Sequence, residues 1–154
     1  MTKHEENLEI PRETRDRWQN IVDTAAAIFE VPAAVITRNT NSGMVIMASS
    51  QTQNNPYITE SVSLSYTHSY FEITTQSRNM VVILNANDDP AWSNHIAANA
   101  GMVSFLGFPL FWPSGEVFGT IAVLDSRERN YAQAFRDQLY HISTLINGDL
   151  QLIH

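Results

Sequence analysis

The sequence predicts a single α+β domain, with an amphipathic helix at each end and short strands between the two helices. A chain of 154 residues has the usual size of one domain. Apolar residues recur at steps of three and four from Thr14 to Phe29, and again from about Tyr131 onward, which is helical spacing. Between these segments, β-branched runs alternate with turn residues, as in a sheet. We expect residues 1–13 to be flexible and residues 14–154 to form the domain.

The composition limits the possible classes of function. Hydrophobic residues make up 44% of the chain and charged residues 16%, which is enough for a packed core. The chain has no cysteine, which excludes disulfides, thiolate metal sites and cysteine nucleophiles. A net charge of −7 repels phosphate backbones, so we expect no nucleic-acid partner. No run reaches the ~20 apolar residues of a membrane span and the N-terminus has no signal-peptide pattern, so we expect a cytoplasmic protein without membrane contact.

The first half of the chain predicts one helix followed by a pair of strands. The helix ends at Val31-Pro32, because proline cannot continue its hydrogen-bond ladder. The stretches "AAVITRN" and "MVIMASS" predict two strands around the turn "TNSG". The segment "SVSLSYTHSYFEITTQSR" fits a strand in its first part and a helix in its second, and periodicity alone does not decide between them.

The second half predicts a strand, a long irregular connection and a final helix. "MVVILN" is typical of a strand, and "ANDDPAWSNHIAANAG" predicts a loop with a short helix from about Ser93 to Gly101. The final helix has a near-heptad apolar seam formed by Phe135, Leu139, Ile142, Ile146, Leu150 and Ile153. Because this spacing continues without a cap, we expect an output domain to follow in the same polypeptide.

The stretch "SFLGFPLFWPSGEVFGTIAVLD" predicts a hairpin that leaves room on one face. If Trp112 lies opposite Val117, four small residues come together on the same face as Phe118. They pair as Gly107–Ala122 and Pro109–Thr120. Both faces are apolar, so the sheet is expected to be covered on both sides. The small residues accommodate either a closely packed helix or a ligand cavity, and a bulge near the turn would exchange the faces.

Residues 89–125 carry a further pattern of small, aromatic and acidic residues. It consists of "DPAW", Gly101-Met102, Ser104, Leu106-Gly107, Pro109, Trp112-Pro113, Gly115–Thr120 and Leu124-Asp125. This pattern resembles a GAF domain, of the kind found in bacterial sensor proteins ahead of diguanylate cyclase, phosphodiesterase or histidine kinase outputs. The resemblance runs from about Arg15 to Leu150. In "YFEITTQSR" the chain departs from the family, because Phe71 stands where a cysteine is often found.

The resemblance implies an architecture, a binding site and a dimer. A GAF/PAS-like domain has a central antiparallel sheet of five or six strands, with the N- and C-terminal helices on one face. A ligand pocket lies on the other face, under a roof of loops and short helices that here spans residues 51–102. The implied ligand contacts are Met47, Tyr70, Phe71, Trp92, His95, Ile96, Met102, Ser104 and Thr120. The implied homodimer interface is Trp18, Leu139, Ile142, Ile146, Leu150 and Ile153.

No residue set predicts catalysis or a metal site. The five histidines lack metal-binding helical spacing, Asp88-Asp89 before proline is typical of a solvated turn, and Arg78 fits a solvated helix end better than an anion site. Free methionine sulfoxide reductases of the GAF family, like covalent bilin attachment, depend on cysteine, so the resemblance implies neither here. We expect a non-catalytic sensor of an unknown small molecule, with no cofactor assigned. The alternatives are a ligand-free dimerisation or spacer module, with rings such as Phe71 filling the pocket, and a haem-binding sensor using His68 or His95.

Overall fold

A computed structural model describes residues 3–41, 43–59, 62–63 and 67–153. The helices of these residues are α1 (Lys3–Asn7), α2 (Arg12–Phe29), α3 (Tyr70–Ser77) and α4 (Gln133–Ile153). The strands are β1 (Ala33–Thr40), β2 (Gly43–Ser49), β3 (Val62–Ser63), β4 (Val81–Ile83), β5 (Ser104–Phe111) and β6 (Val117–Asp125). They form one antiparallel sheet in the order β3-β2-β1-β6-β5-β4. This arrangement confirms the predicted α+β fold and its antiparallel sheet.

Helices α2 and α4 pack side by side on one face of the sheet, called here the helix face. The two helices are joined through Asp149, whose carboxylate accepts hydrogen bonds from Arg17 Nη2 at 2.7 Å and Trp18 Nε1 at 2.9 Å. Helix α2 ends at Phe29 because Glu30 turns into the left-handed conformation, with φ 54°, two residues before Pro32. The N-terminal segment that was expected to be flexible contains α1, and Arg38 Nη2 donates to Glu5 O at 3.0 Å.

Most of the predicted dimer-interface residues belong to the core between the helices and the sheet. Four side chains in that set are completely buried within the chain: Trp18, Leu139, Ile146 and Leu150. Their apolar seam packs against the sheet of the same molecule, so they present no surface to a second copy, and this part of the expectation is corrected. Ile142 and Ile153 are half-buried and lie at the edge of that core.

Residues 67–77 and 84–103 form the roof and cover the opposite face, called here the roof face. The segment "SVSLSYTHSYFEITTQSR", for which periodicity did not decide between strand and helix, contains strand β3 and helix α3. Leu64 and Tyr66 lie outside the described residues, and so does Ser42 of the predicted turn "TNSG". Helix α3 begins where Ser69 Oγ accepts a hydrogen bond from Glu72 N at 3.1 Å. The predicted short helix between Ser93 and Gly101 is reduced to one 3₁₀ turn at Ala97–Asn99, and the residues before it form irregular turns. Ala100 caps this turn in the left-handed conformation, and the predicted end residue Gly101 also has a positive φ.

The β5–β6 hairpin has the predicted register over most of its length. Gly107 pairs with Ala122 and Pro109 with Thr120. The predicted Trp112–Val117 pair is wrong, because the register shifts after Leu110 and Phe111 pairs with Val117. This bulge turns Phe118 to the helix face, where its ring contacts those of Trp18 and Trp112 at centroid distances of 5.7 and 5.2 Å.

Candidate functional site

Five aromatic side chains fill the space between the sheet and the roof, and this group is called here the ring cluster. Its members are Tyr57, Tyr70, Phe71, Trp92 and Phe105. The Phe105 ring contacts Tyr70 at 5.3 Å and Phe71 at 5.4 Å between centroids, and Tyr70 contacts Trp92 at 5.0 Å. Tyr70, Phe71 and Phe105 each expose 1% of their surface or less. Aromatic edges and faces in these arrangements stabilise the packing beyond the area that they bury.

The small residues of the hairpin make room for one of these rings. A Cβ atom built on Gly107 would lie 2.4 Å from Phe105 Cζ and 2.5 Å from Cε1. The ring of Phe105 therefore folds over Gly107, two residues along the same strand. The face that was expected to be a pocket floor or a helix seat is occupied by a side chain of the strand itself.

Asn99 holds the roof together from within. Its side chain is 2% exposed, and its Nδ2 donates to His95 O at 2.9 Å and His68 O at 3.3 Å. Its Oδ1 accepts from Tyr70 N at 2.8 Å. Through bonds to three backbone groups, which are otherwise costly to bury, one amide ties the start of α3 to the loop before β5. No sequence motif singled out this residue.

Tyr70 fixes the start of α3 to the end of the roof. Its hydroxyl donates to Met102 O at 2.7 Å. Burial, followed by the negative charge of Asp89, raises the pKa of Tyr70 to about 12. The side chain is therefore neutral at physiological pH and serves as a hydrogen-bond donor.

The three predicted polar or sulfur contacts on the sheet have different surroundings. Thr120 is fully buried beside Gly107 on the roof face, and its Oγ1 has no hydrogen-bond partner in the described part of the chain. Ser104 faces the other way, with its Oγ 3.1 Å from the hydroxyl of Tyr131 in the helix-face core. Met47 is half-buried and packs against the helix-face core. Of these three, only Thr120 lies beside the ring cluster.

The remaining predicted contacts lie in the roof. Met102 is buried, Trp92 is a half-buried member of the ring cluster, and Ile96 is half-buried against the same core. His95 is half-buried, and its ring stacks on that of His68 at 4.7 Å with an angle of 12°. The structure therefore brings the two histidines into contact, which no sequence pattern predicted.

These residues do not fit a tetrapyrrole in the present arrangement. A haem or bilin between sheet and roof would have to displace Tyr70, Phe71 and Phe105, which fill that space.

Within the described ranges, no three His, Asp or Glu side chains converge to hold a metal ion. None of the helices in those ranges combines the length and hydropathy that a bilayer span requires.

The sheet order, the terminal helices on one face and the roof on the other define a recognisable domain type. The family model described as GAF domain matches residues 13–148. The chain belongs to the GAF domain family. This confirms the resemblance seen in the sequence, and the match extends over nearly all of the chain.

Solved GAF structures share this fold at low sequence identity. The GAF domain of a phosphoenolpyruvate-protein phosphotransferase from Acinetobacter is 20% identical with a TM-score of 0.69, over 89% of this chain and 81% of that one. The cyanobacteriochrome receptor PixJ is 13% identical with a TM-score of 0.72, over 93% and 98%. A type II free methionine-R-sulfoxide reductase from Thermoplasma acidophilum is 10% identical with a TM-score of 0.72, over 94% and 97%. No curated protein sequence matches the chain.

Within this GAF domain, Arg129 connects the roof to the helix face. Its backbone N–H donates at 3.1 Å to the carbonyl oxygen of Leu84, the residue at which the chain leaves β4 and enters the roof. Its Nε donates to Asp125 Oδ2 at 2.7 Å, and its Nη2 donates to Glu30 O at the end of α2. Arg129 also stands just before α4 in the chain. No sequence pattern identified it, because Leu84 and Glu30 lie 45 and 99 residues away along the chain and only Asp125 is close.

Proposed function

We propose that this GAF domain is a non-catalytic sensor that binds a small molecule between the sheet and the roof. The buried Thr120 hydroxyl carries the proposal, since it is a polar atom without a partner in the described residues, beside the ring cluster. A buried unpaired hydroxyl costs about 1–3 kcal/mol, so a ligand group that bonds to it would recover part of that cost. Entry of a ligand requires rings of the cluster to move, and Tyr70, Phe71 and Trp92 belong to the roof rather than to the sheet.

The roof has the properties of a segment that can open. Apart from α3, it consists of loops and single turns, and side-chain bonds of Asn99 tie the loop before β5 to the start of α3. Regions with few regular hydrogen bonds open at lower free energy than the sheet beneath them. A ligand that binds the open arrangement better than the closed one shifts this equilibrium.

Arg129 supplies a route from the roof to the terminal helices. Movement of Leu84 acts on the backbone of Arg129, whose side chain holds the end of α2 and whose chain leads into α4. We propose that α4 passes this movement to an output domain in the same polypeptide. An Arg129→Gln variant is expected to bind ligand normally but to lose the ligand-dependent change in hydrogen exchange along α4. Changes in α4 that survive in this variant would exclude the route.

We further propose that the domain forms a homodimer through the outer surfaces of α2 and α4. Ile28 and Leu145 are each more than half exposed, and a groove of about 220 Å³ between the helices is lined partly by Ile21 and Ile142. Large apolar side chains on one face favour association. Leu145→Glu is expected to give a monomer by analytical ultracentrifugation, while Glu128→Gln, in the loop before α4, leaves the mass unchanged. A wild-type protein that is monomeric at high concentration would overturn this part.

The experiment that tests ligand binding is thermal unfolding with small carboxylates, aromatic acids and cyclic nucleotides. A ligand at one hundred times its Kd stabilises a protein by ~2.7 kcal/mol, which raises the Tm by several degrees in a domain of this size. Thr120→Val keeps the side-chain shape and removes the unpaired hydroxyl. We expect it to raise the Tm of the free protein by about 2–4 °C and to reduce the ligand-induced shift.

A matched variant on the same face of the sheet tests whether any replacement of a buried threonine by valine raises the Tm. Thr37 is also fully buried and pairs with Thr120 across the sheet, but its Oγ1 is bonded to Thr120 O at 3.5 Å. Thr37→Val is therefore expected to give no gain in Tm. If Thr120→Val binds every active compound as tightly as the wild type, the proposed contact is wrong.

The tightly filled ring cluster favours a second candidate, a ligand-free dimerisation or spacer module. In that case the burial of Phe71 and Phe105 is the permanent state of the domain. No compound would then shift the Tm, while the dimer would persist in ultracentrifugation. A saturable shift with any compound that depends on Thr120 excludes this candidate.

A further inference from the structure

A groove runs beside the open end of β5, away from the ring cluster. The edge strand β4 pairs only with Phe105–Gly107, so the rest of β5 has no outer neighbour among the described strands. The groove has a volume of about 460 Å³ and lies between this part of β5, the residues after α3, and α4. Pockets for small molecules usually fall between about 300 and 1,000 Å³.

The backbone of this edge is closed to strand addition. Pro109 has no N–H, and the N–H of Phe111 is already bonded to Asn147 Oδ1 of α4 at 2.9 Å. An extended peptide would therefore miss the donors that it needs to extend the sheet. The occupant that fits is a small molecule held by side chains.

The charge of the groove is opposite to that of the whole chain. The lining includes Arg78 and contains no Asp or Glu, in a chain with 16 acidic and 9 basic residues. The Arg78 guanidinium lies 5.0 Å above the Phe111 ring and donates one hydrogen bond, to Gly115 O at 2.7 Å. No carboxylate of the described residues pairs with it. A guanidinium has five N–H donors, so Arg78 keeps free N–H groups that can bind both oxygens of a carboxylate.

The walls beside Arg78 are aromatic. The ring of Phe111 is half-buried, and the ring of Tyr140 on α4 is 52% exposed. Tyr140 also contacts Phe108, with 5.8 Å between centroids. Rings that stand apart at the mouth of a groove accept a flat apolar group, with favourable stacking or edge contacts.

We propose that this groove binds a small planar molecule that carries a carboxylate. Arg78 binds the carboxylate, and the planar part lies between Phe111 and Tyr140. The site is separate from the roof site of the proposed function. A molecule bound there contacts both β5 and α4, so it would reinforce the packing that Asn147 makes between them.

The test is an NMR titration of the ¹⁵N-labelled protein with 2-naphthoate, and with 2-naphthamide as the neutral control. We expect saturable shifts at residues 78–80, 108–111 and 140–147, with naphthamide at least about tenfold weaker, since a charge-assisted pair contributes more than a neutral bond. Arg78→Gln and Tyr140→Ala should each weaken naphthoate binding by about tenfold, with Arg78→Lys in between. Arg127→Gln, which removes an exposed arginine elsewhere, should not change it.

The outcomes separate this site from the roof site. Naphthoate binding that is unchanged in Thr120→Val but lost in Arg78→Gln supports the groove, whatever happens at the roof. Shifts confined to Tyr57, Trp92 and Met102 would place the acid under the roof and overturn the proposal. The proposal also fails if there is no saturable shift up to about 10 mM, or if Arg78→Gln binds as well as the wild type while its spectrum shows an intact fold.

Discussion

Gly119 lies at a close approach of strands β1 and β6, and its replacement by alanine should damage the centre of the sheet. An added Cβ would lie 1.9 Å from Thr37 O and 2.7 Å from Thr37 C. Both atoms are backbone, so no side-chain rotation relieves the contact. The φ angle of Gly119 is not in the left-handed region, and the close approach alone requires glycine.

The structure gives the size of this effect. A normal contact starts near 3.4 Å, so the strands must separate locally by about 1.5 Å. This breaks the ladder around the pairs Thr37–Thr120 and Arg38–Gly119. Two weakened backbone hydrogen bonds cost about 1–3 kcal/mol, and overpacking adds about 1–3 kcal/mol. We expect Gly119→Ala to lower the free energy of unfolding by about 4 kcal/mol and the Tm by roughly 10 °C.

Gly148 provides the matched control, because the same substitution there should have the opposite sign. It lies within α4, and its added Cβ would meet no atom within 4 Å. Gly148→Ala should therefore stabilise the domain by up to ~1 kcal/mol through helix propensity. Urea unfolding followed by circular dichroism measures both variants. A Gly119→Ala protein within 1 kcal/mol of the wild type, or a Gly148→Ala protein that is less stable, would refute the reasoning.

Three further predictions concern the roof face. Gly107→Ala should cost about 1–3 kcal/mol in urea unfolding by pushing the Phe105 ring off its neighbours, and adding Phe105→Leu should recover part of that loss in a double-mutant cycle. Asn99→Leu should leave three roof backbone groups without partners, which lowers stability by about 2–4 kcal/mol and speeds hydrogen exchange in residues 68–72 and 95–102. Stability should fall as the pH rises from about 10 through 12, because Tyr70 ionises at lower pH in the unfolded chain than in the folded one. Tyr70→Phe should be less stable at pH 7 but lose less stability over that alkaline range.

Each of these predictions has an outcome that counts against it. A double variant whose loss is the simple sum of the Gly107→Ala and Phe105→Leu losses would show that the two residues are not coupled. Unchanged exchange rates in Asn99→Leu would mean that other contacts hold the roof. Equal alkaline losses in the wild type and Tyr70→Phe would assign the pH dependence to other groups, such as Tyr57 and Tyr131, whose pKa values burial also raises.

Local patterns predicted the elements, and longer-range geometry decided the details. Alternation along the hairpin was enough to pair Gly107 with Ala122, but the bulge that turns Phe118 to the other face follows from the turn beyond it. The seam through Leu139 has the same spacing whether it faces a second helix or its own sheet, so periodicity could not tell an interface from a core. Asn99 makes hydrogen bonds with backbone groups up to 31 residues away. Every residue type except proline carries these backbone groups, so no pattern of residues could predict the bonds.

The central β1–β6 pairing also determines how the chain can fold. Hairpins β1–β2 and β5–β6 are local, but the strands that join them are more than 80 residues apart in the chain. Closing so large a loop lowers the conformational entropy of the chain before the β1–β6 contacts stabilise it. We therefore expect this pairing to form late and to set the folding rate. Each half alone keeps a long unpaired strand edge, which is prone to aggregation. A chain cleaved in the roof would therefore yield two fragments that are insoluble separately and complement each other when refolded together.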